Sequence, residues 1–109
     1  MLVPLLGSET VERALIFILA REKGYATEIA QFFAINLYAV QKQLEKLEAG
    51  SVLVSHTAGR TRLYQFNPRY AFLNELKGLL SKALSFYPEE IREGLTMNRR
   101  RPRRSGKPL

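Results

Sequence analysis

Residues 26–50 constrain the fold most, because they hold two short helical patterns with only three residues between them. The first pattern covers Ala26–Phe33 and the second covers Leu37–Ala49. Asn36 is suited to cap the start of the second helix, and Gly50 is suited to close its end. Two short helices joined by a three-residue turn indicate a helix-turn-helix.

The residues around this segment add a helix before it and a hairpin after it. Ser8 can cap a helix that runs to about residue 22, and Gly24 follows and ends it. Residues 51–56 and 61–66 are strand-like, and the turn between them contains Gly59. A β-hairpin is therefore predicted, with Gly59 supplying the positive φ that such a turn needs.

A last long helix is predicted after the hairpin. Asn67 and Pro68 are typical of a helix start, and this helix runs to about Phe86, where Pro88 stops it. A short helix is predicted over residues 88–94. The order helix, helix, turn, helix, hairpin, helix is that of a winged helix-turn-helix domain. The predicted fold class is therefore α+β, mainly α with a small β-hairpin wing.

The first and last of these predicted helices are apolar over more of their surface than one small core covers. In the first, Val11, Leu15 and Ile18 form a stripe that Ile16 and Phe17 widen. In the last, two neighbouring stripes run along the helix, with Phe72, Leu76, Leu79, Ala83 and Phe86 in one and Leu73, Leu80, Leu84 and Tyr87 in the other. We expect a partner chain to cover what one small core leaves open.

The positive charge of the chain is concentrated at its end. The formal net charge is +7, yet residues 98–109 hold six positive and no negative side chains, while residues 1–97 hold eleven positive and ten negative ones. The arginines of this segment are Arg99, Arg100, Arg101, Arg103 and Arg104. Its Arg, Pro, Gly and Ser composition cannot bury apolar area, which predicts disorder when free. The chain thus divides into a domain, residues 1–97, and a basic tail, residues 98–109.

Several function classes are excluded or disfavoured by residue content. The 109 residues include no Cys, no Asp and a single His, so a thiolate metal site, a His-pair metal site or a Ser-His-Asp triad cannot be built within one chain. No enzyme, cofactor or metal is expected. The longest apolar run is seven residues, far short of the roughly 20 that span a bilayer, and no signal peptide is evident. We expect a cytoplasmic protein without a membrane partner.

The helix Leu37–Ala49 carries the first set of candidate contacts with DNA. At about 100° per residue, Val40 and Leu44 face the core, and the opposite side presents Tyr38, Lys42 and Lys46, with Gln41 on its flank. Gln pairs well with adenine, Lys reaches guanine edges or phosphate, and Tyr donates to phosphate. Glu45 shares this side and would repel phosphate unless it accepts a hydrogen bond from cytosine. A solvated helix face therefore remains the alternative interpretation.

The hairpin and the tail carry the remaining candidates. Arg60, Thr61 and Arg62 lie near the hairpin tip, where arginines can straddle the backbone or enter a minor groove. The tail arginines can strengthen DNA binding through counterion release without reading sequence. The same cationic cluster is compatible with RNA or an acidic protein partner.

These residues resemble a known family. Residues 26–50 are similar to the helix-turn-helix core of ArsR-like winged-helix regulators, and Gly59-Arg60, Tyr64 and Asn67-Pro68 resemble their wing and its exit. Leu6-Gly7-Ser8 with Arg13, and residues 74–82, are similar to one subgroup. The winged helix of that subgroup often precedes, or is encoded near, a nucleotidyltransferase-like domain.

The resemblance implies a prokaryotic, cytoplasmic, homodimeric transcriptional regulator that binds double-stranded DNA. It also implies that the first and last helices form the dimer interface, which agrees with their wide apolar surfaces. It places Asn36, Leu37, Tyr38, Gln41 and Lys42 where the recognition helix meets DNA, and Arg60 and Arg62 on the wing. The metal-sensing cysteines of many ArsR proteins are absent. An alternative function is a protein-interaction module that partners a separately encoded nucleotidyltransferase-like protein.

Overall fold

A computed structural model describes residues 1–96, which form six helices and a three-stranded antiparallel sheet. The fold is α+β and winged helix-turn-helix, as predicted. The elements in chain order are α1 Val3–Leu6, α2 Glu9–Arg21, β1 Gly24–Tyr25, α3 Ala26–Phe33, α4 Leu37–Ala49, β2 Leu53–Ala58, β3 Thr61–Phe66, α5 Leu73–Ser85 and α6, residues 89–96. The basic tail and its arginines lie outside the described residues.

Local capping fixes the start of α2, as the sequence predicts. The Ser8 hydroxyl accepts a hydrogen bond from the backbone N–H of Val11 at 3.1 Å. The helix ends differently, at Glu22, which adopts the left-handed conformation with φ 74°. Gly24 instead leaves room for a ring, because a Cβ at this position would lie 2.8 Å from Cε1 of Phe17.

The helix-turn-helix pair has the predicted bounds. The side-chain oxygen of Asn36 accepts a hydrogen bond from the N–H of Ala39 at 2.9 Å and caps α4. Ala34 takes the left-handed conformation, φ 56°, in the turn, where a glycine is more usual. Ile29 of α3 and Val40 and Leu44 of α4 are buried, which holds the two helices against the rest of the core.

The sheet has the order β1–β3–β2. The β2–β3 hairpin turns at Gly59, whose φ of 68° confirms the predicted role of this glycine. The hairpin begins at Leu53 rather than at Ser51, because the N–H groups of Ser51 and Val52 bond to the last carbonyls of α4. The two-residue strand β1, which pairs Gly24 with Tyr64, was not predicted.

The predicted start of the last long helix is wrong. The structure begins α5 at Leu73, not at Pro68. The side-chain oxygen of Asn67 accepts a hydrogen bond from the N–H of Arg69, and the backbone carbonyl of Asn67 accepts one from the N–H of Tyr70. Asn67 therefore closes a turn instead of capping a helix. The short helix predicted after Pro88 is present as α6.

The core is built around α2. Its side chains from Ala14 to Ile18 are all at most 1% exposed, because α1, α3, α4 and α5 of the same chain pack around the helix. Leu95 of α6 is fully buried in the same core. The wide apolar surface of α2 is thus covered within one chain, and its burial does not require the second copy that the sequence suggested.

No helix among residues 1–96 is long and apolar enough to cross a membrane. Within the same residues, no three His or Glu side chains cluster in a way that could hold a metal ion.

Candidate nucleic-acid interface

A cleft of about 330 Å³ lies between α4 and the wing, the hairpin formed by β2 and β3. Residues 41 and 60–62 are about 20 positions apart in sequence, yet they line the same cleft. The start of α3 closes its third side. The principal lining side chains are Thr27, Gln41, Glu45, Arg60, Thr61 and Arg62.

The outer face of α4 is exposed over the predicted positions. Tyr38 is 67% exposed, and Gln41, Lys42 and Lys46 are also exposed. The Nζ atom of Lys42 lies 5.6 Å from the centroid of the Tyr38 ring, one helical turn away. An ammonium over an aromatic face is held by the ring quadrupole, so this pair forms one cationic, amphipathic patch.

The remaining predicted residues of α4 differ in what they can contribute. Asn36 is exposed, but its side-chain oxygen is engaged in capping the helix. Leu37 is 39% exposed beside it. Lys46 lies in the last turn of α4 and is not part of the cleft wall. The polar side chain that α4 shares with the wing is therefore Gln41, with Glu45 one turn further on.

The wing holds its cationic side chains in different ways. Arg60 is exposed at the tip, and the Thr61 hydroxyl beside it donates to the carbonyl of Ala58 at 3.0 Å. Arg62 donates through Nη1 to the Ser55 hydroxyl at 2.9 Å, which ties its guanidinium to the neighbouring strand. The wing thus presents two arginines, one at the tip and one fixed along its side.

Tyr64 forms the floor between α4 and the wing. Burial raises the pKa of its phenol, and the carboxylate of Glu48 raises that pKa further. The side chain therefore stays neutral and supports the cleft without adding charge. Glu45 lies at the mouth of the cleft, where its carboxylate would repel a phosphate and would accept from a base amino group.

Four residues around this interface were not predicted from the sequence: Tyr25, Thr27, Glu48 and Ser55. Tyr25 and Thr27 line the cleft because β1 pairs with β3 and brings the start of α3 to the wing. Ser55 and Glu48 enter through the hairpin register and the packing of α4 on the sheet. No local pattern marks these contacts, although the hairpin alternation places Ser55 and Arg62 on one face.

The arrangement of these elements is that of the winged helix-turn-helix class. No protein-family model matches the chain, and no curated protein matches it significantly. Solved structures do match in fold. ZitR from Lactococcus lactis, in apo form, is 20% identical with a TM-score of 0.54, over 91% of this chain and 83% of that one.

Two further structures agree. The adhesin competence repressor AdcR from Streptococcus pyogenes is 16% identical with a TM-score of 0.51, over 84% of this chain and 80% of that one. The transcriptional regulator BldR from Sulfolobus solfataricus is 20% identical with a TM-score of 0.53, over 92% and 79%. At these identities the matches establish the fold.

Proposed function

We propose that the protein is a sequence-specific, DNA-binding transcriptional regulator that acts as a homodimer. The observation that carries the proposal is the shared cleft, in which Gln41 of α4 and the arginines of the wing lie on one surface. In this proposal α4 is the recognition helix and enters a major groove. The repressor and the transcriptional regulator of similar fold support the same role.

The chemistry of each residue suggests its share of the work. Gln41 can pair with adenine through two hydrogen bonds, and Lys42 can reach a guanine edge or a phosphate. Tyr38 and Lys46 flank them and are suited to the backbone. Arg60 and Arg62 lie where a wing meets the phosphates or the minor groove. Glu45 would then favour cytosine, because a carboxylate accepts from its amino group.

The basic tail would supply affinity without choosing sequence. The last part of the described chain is fixed beside the helix-turn-helix, because Arg21 donates to the carbonyls of Gly94 and Leu95, each at 3.3 Å. Gly94 also packs closely on Phe32 of α3. Gly94 and Leu95, a few positions before the tail, therefore lie next to α2 and α3.

The finer classification also belongs to this proposal. The ArsR-like resemblance agrees with the fold and with a cytoplasmic, prokaryotic regulator. It does not support a metal response through cysteines, because the sequence contains none. Nothing in the structure of residues 1–96 favours a nucleotidyltransferase-like protein over DNA as the partner, so we propose DNA as the partner. RNA binding through the tail becomes an outcome of the test.

The test is selection of bound sequences from random duplex DNA at moderate salt. It uses the full chain and a variant with all five tail arginines changed to Gln. We expect both proteins to enrich one palindrome, with half-sites about 34–36 Å apart. The salt dependence of the variant should be shallower, by a slope of about 0.9 for each phosphate that the tail no longer neutralises.

Two point variants separate base reading from general charge. Gln41→Ala should relax the preference at one position of each half-site by about 1–3 kcal/mol. Lys82→Ala on α5 removes a positive charge away from the cleft and should leave the preference unchanged. Failure of the full chain to retain any duplex at low salt would overturn the proposal, and retention of single-stranded RNA alone would replace it.

A further inference from the structure

Three side chains from three elements form a hydrogen-bonded series at the side of the wing. The Ser55 hydroxyl of β2 donates to Oε2 of Glu48, in the last turn of α4, at 2.8 Å. The same hydroxyl accepts from Nη1 of Arg62, on β3, at 2.9 Å. The hydroxyl uses its donor toward the carboxylate and a lone pair toward the guanidinium, so both bonds form at once.

The register of the hairpin explains why these residues meet. Thr57 is paired directly with Arg62, and Ser55 lies two residues away on the same face. That diagonal separation is within the reach of an arginine side chain. Tyr64, paired with Ser55, lies on the same face and is buried. Arg62 is thus held by its own sheet face and, through Ser55, by the recognition helix.

We propose that Glu48 and Ser55 are positioning residues that set the direction of Arg62 and so fix the wing relative to α4 for DNA reading. The inference rests on the proposed function. Neither Glu48 nor Ser55 is assigned a contact with DNA, and both act through Arg62.

The physical need for such a series lies in the flexibility of arginine. Ordering a free arginine side chain costs rotamer entropy, and a side chain that is already ordered avoids much of that cost on binding. One N–H of Arg62 bonds to Ser55, while a guanidinium has five donors, so the fork can still meet a phosphate or a base edge. Bonds in series also polarise one another, which strengthens the hold of the neutral hydroxyl.

The series also couples two surfaces that must fit one duplex. Glu48 belongs to the helix that would lie in the major groove, and Arg62 belongs to the wing beside it. If the Ser55 hydroxyl were removed, the two would keep their places in the chain but would no longer be bridged. We expect the site preference to suffer more than the general affinity for DNA.

The first experiment measures the affinity for the selected duplex in a double-mutant cycle. Ser55→Ala should weaken binding by about 3- to 10-fold, the effect of one hydrogen bond. Ser55→Thr keeps the hydroxyl and should restore affinity to within about 2-fold. In the Arg62→Ala background, Ser55→Ala should have no further effect, because the side chain that it positions is gone. The matched control Ser85→Ala removes a hydroxyl bond to the Lys82 carbonyl on α5 and should change nothing.

A second measurement tests the series without DNA. In the unchanged protein, ¹⁵N relaxation should show an ordered Nε–H of Arg62, and Ser55→Ala should lower its order parameter below about 0.6. A mobile Arg62 in the unchanged protein, or an equal loss of affinity in both backgrounds of the cycle, would overturn the inference. If Arg62 is ordered but the full chain retains no duplex, the proposed function fails and the DNA role of the series fails with it.

Discussion

Glu12 shows how one buried carboxylate can organise the start of the chain. It is 1% exposed, and its two oxygens accept from the Tyr87 hydroxyl and from the N–H of Leu2 at 2.7 Å, with the Met1 amino group 3.4 Å away. Burial raises the pKa of Glu12, but these donors outweigh it and the pKa lies below its ordinary value. The charged form is therefore the one that stabilises the fold.

Tyr87→Phe should destabilise the protein by about 1–3 kcal/mol at pH 7, because it leaves one oxygen of a buried carboxylate without a donor. A lowered pKa gives stability that is present above the ordinary value of Glu and is lost as the pH falls through the folded-state value. The difference in the free energy of unfolding between Tyr87→Phe and the unchanged protein should therefore become smaller below about pH 4.5. Urea unfolding at pH 7 and pH 3.5 measures it.

The control for this prediction is Tyr38→Phe, which removes a hydroxyl from a side chain that is 67% exposed. Its stability should lie within about 0.5 kcal/mol of the unchanged protein at both pH values. An equal cost for Tyr87→Phe at pH 7 and pH 3.5 would show that the hydroxyl does not act through the ionised Glu12.

At the scale of elements, the features predicted correctly are those that neighbouring residues decide. Ser8 and Asn36 cap their helices with bonds that reach three residues, and Gly59 adopts the positive φ that its turn needs. The predicted helix start at Pro68 is wrong because Asn67 closes a local turn that uses the same backbone groups. β1 was missed because its two residues become a strand only through pairing with β3, about 40 positions away.

The residues of the candidate interface fall into the same two groups: those that neighbouring residues decide and those that depend on distant contacts. The exposed positions of α4 follow from helical period, so Tyr38, Gln41 and Lys42 could be named from sequence. The contact of Arg62 with Ser55 depends on hairpin register and on how α4 packs on the sheet, neither of which a single sequence contains. The roles of the named residues in DNA binding stay predictions.

Gly24→Ala tests the close approach of β1 to α2. The added methyl group would press on the fully buried ring of Phe17, which has little room to move, so we expect a loss of about 1–3 kcal/mol. Gly78→Ala is the matched control, because Gly78 is exposed on α5 and a Cβ there would meet no atom within 4 Å beyond the neighbouring backbone of its own helix. It should stabilise the protein by about 0.5–1 kcal/mol. Effects of the same sign in urea unfolding would contradict the steric explanation.

At the scale of the whole molecule, one apolar surface that residues 1–96 leave uncovered lies along α5 and at its ends. Phe72 before the helix is 64% exposed and Phe86 after it is 67% exposed. Leu79 lies between them on the same side and is half-buried. We call Phe72, Leu79 and Phe86 the seam. It is the part of the predicted dimer contact that residues 1–96 of one chain leave at least partly exposed to solvent. Leu5 of α1 adds a further exposed apolar side chain.

Phe86→Ser should shift the protein from dimer to monomer. A two-fold interface contains each residue twice, so losing about 1.5 kcal/mol or more per ring raises the dissociation constant by about 100-fold or more. Sedimentation across a range of concentrations measures the change. Tyr38→Ser, at equal exposure on α4, should leave the dimer intact. A monomeric unchanged protein would contradict the dimer itself, and an unaffected dimer would place the contact elsewhere.

The contacts of α2 with residues 87 and 95 also determine the order in which parts of the chain can pack during synthesis. Glu12 receives the Tyr87 hydroxyl, and Arg21 holds the carbonyl of Leu95, 74 positions later. A contact cannot form before both of its partners have been translated. The side of the first long helix that α5 and α6 cover must therefore stay uncovered until nearly all of residues 1–96 have been translated. During that interval the nascent chain depends on shielding from solvent and from other chains.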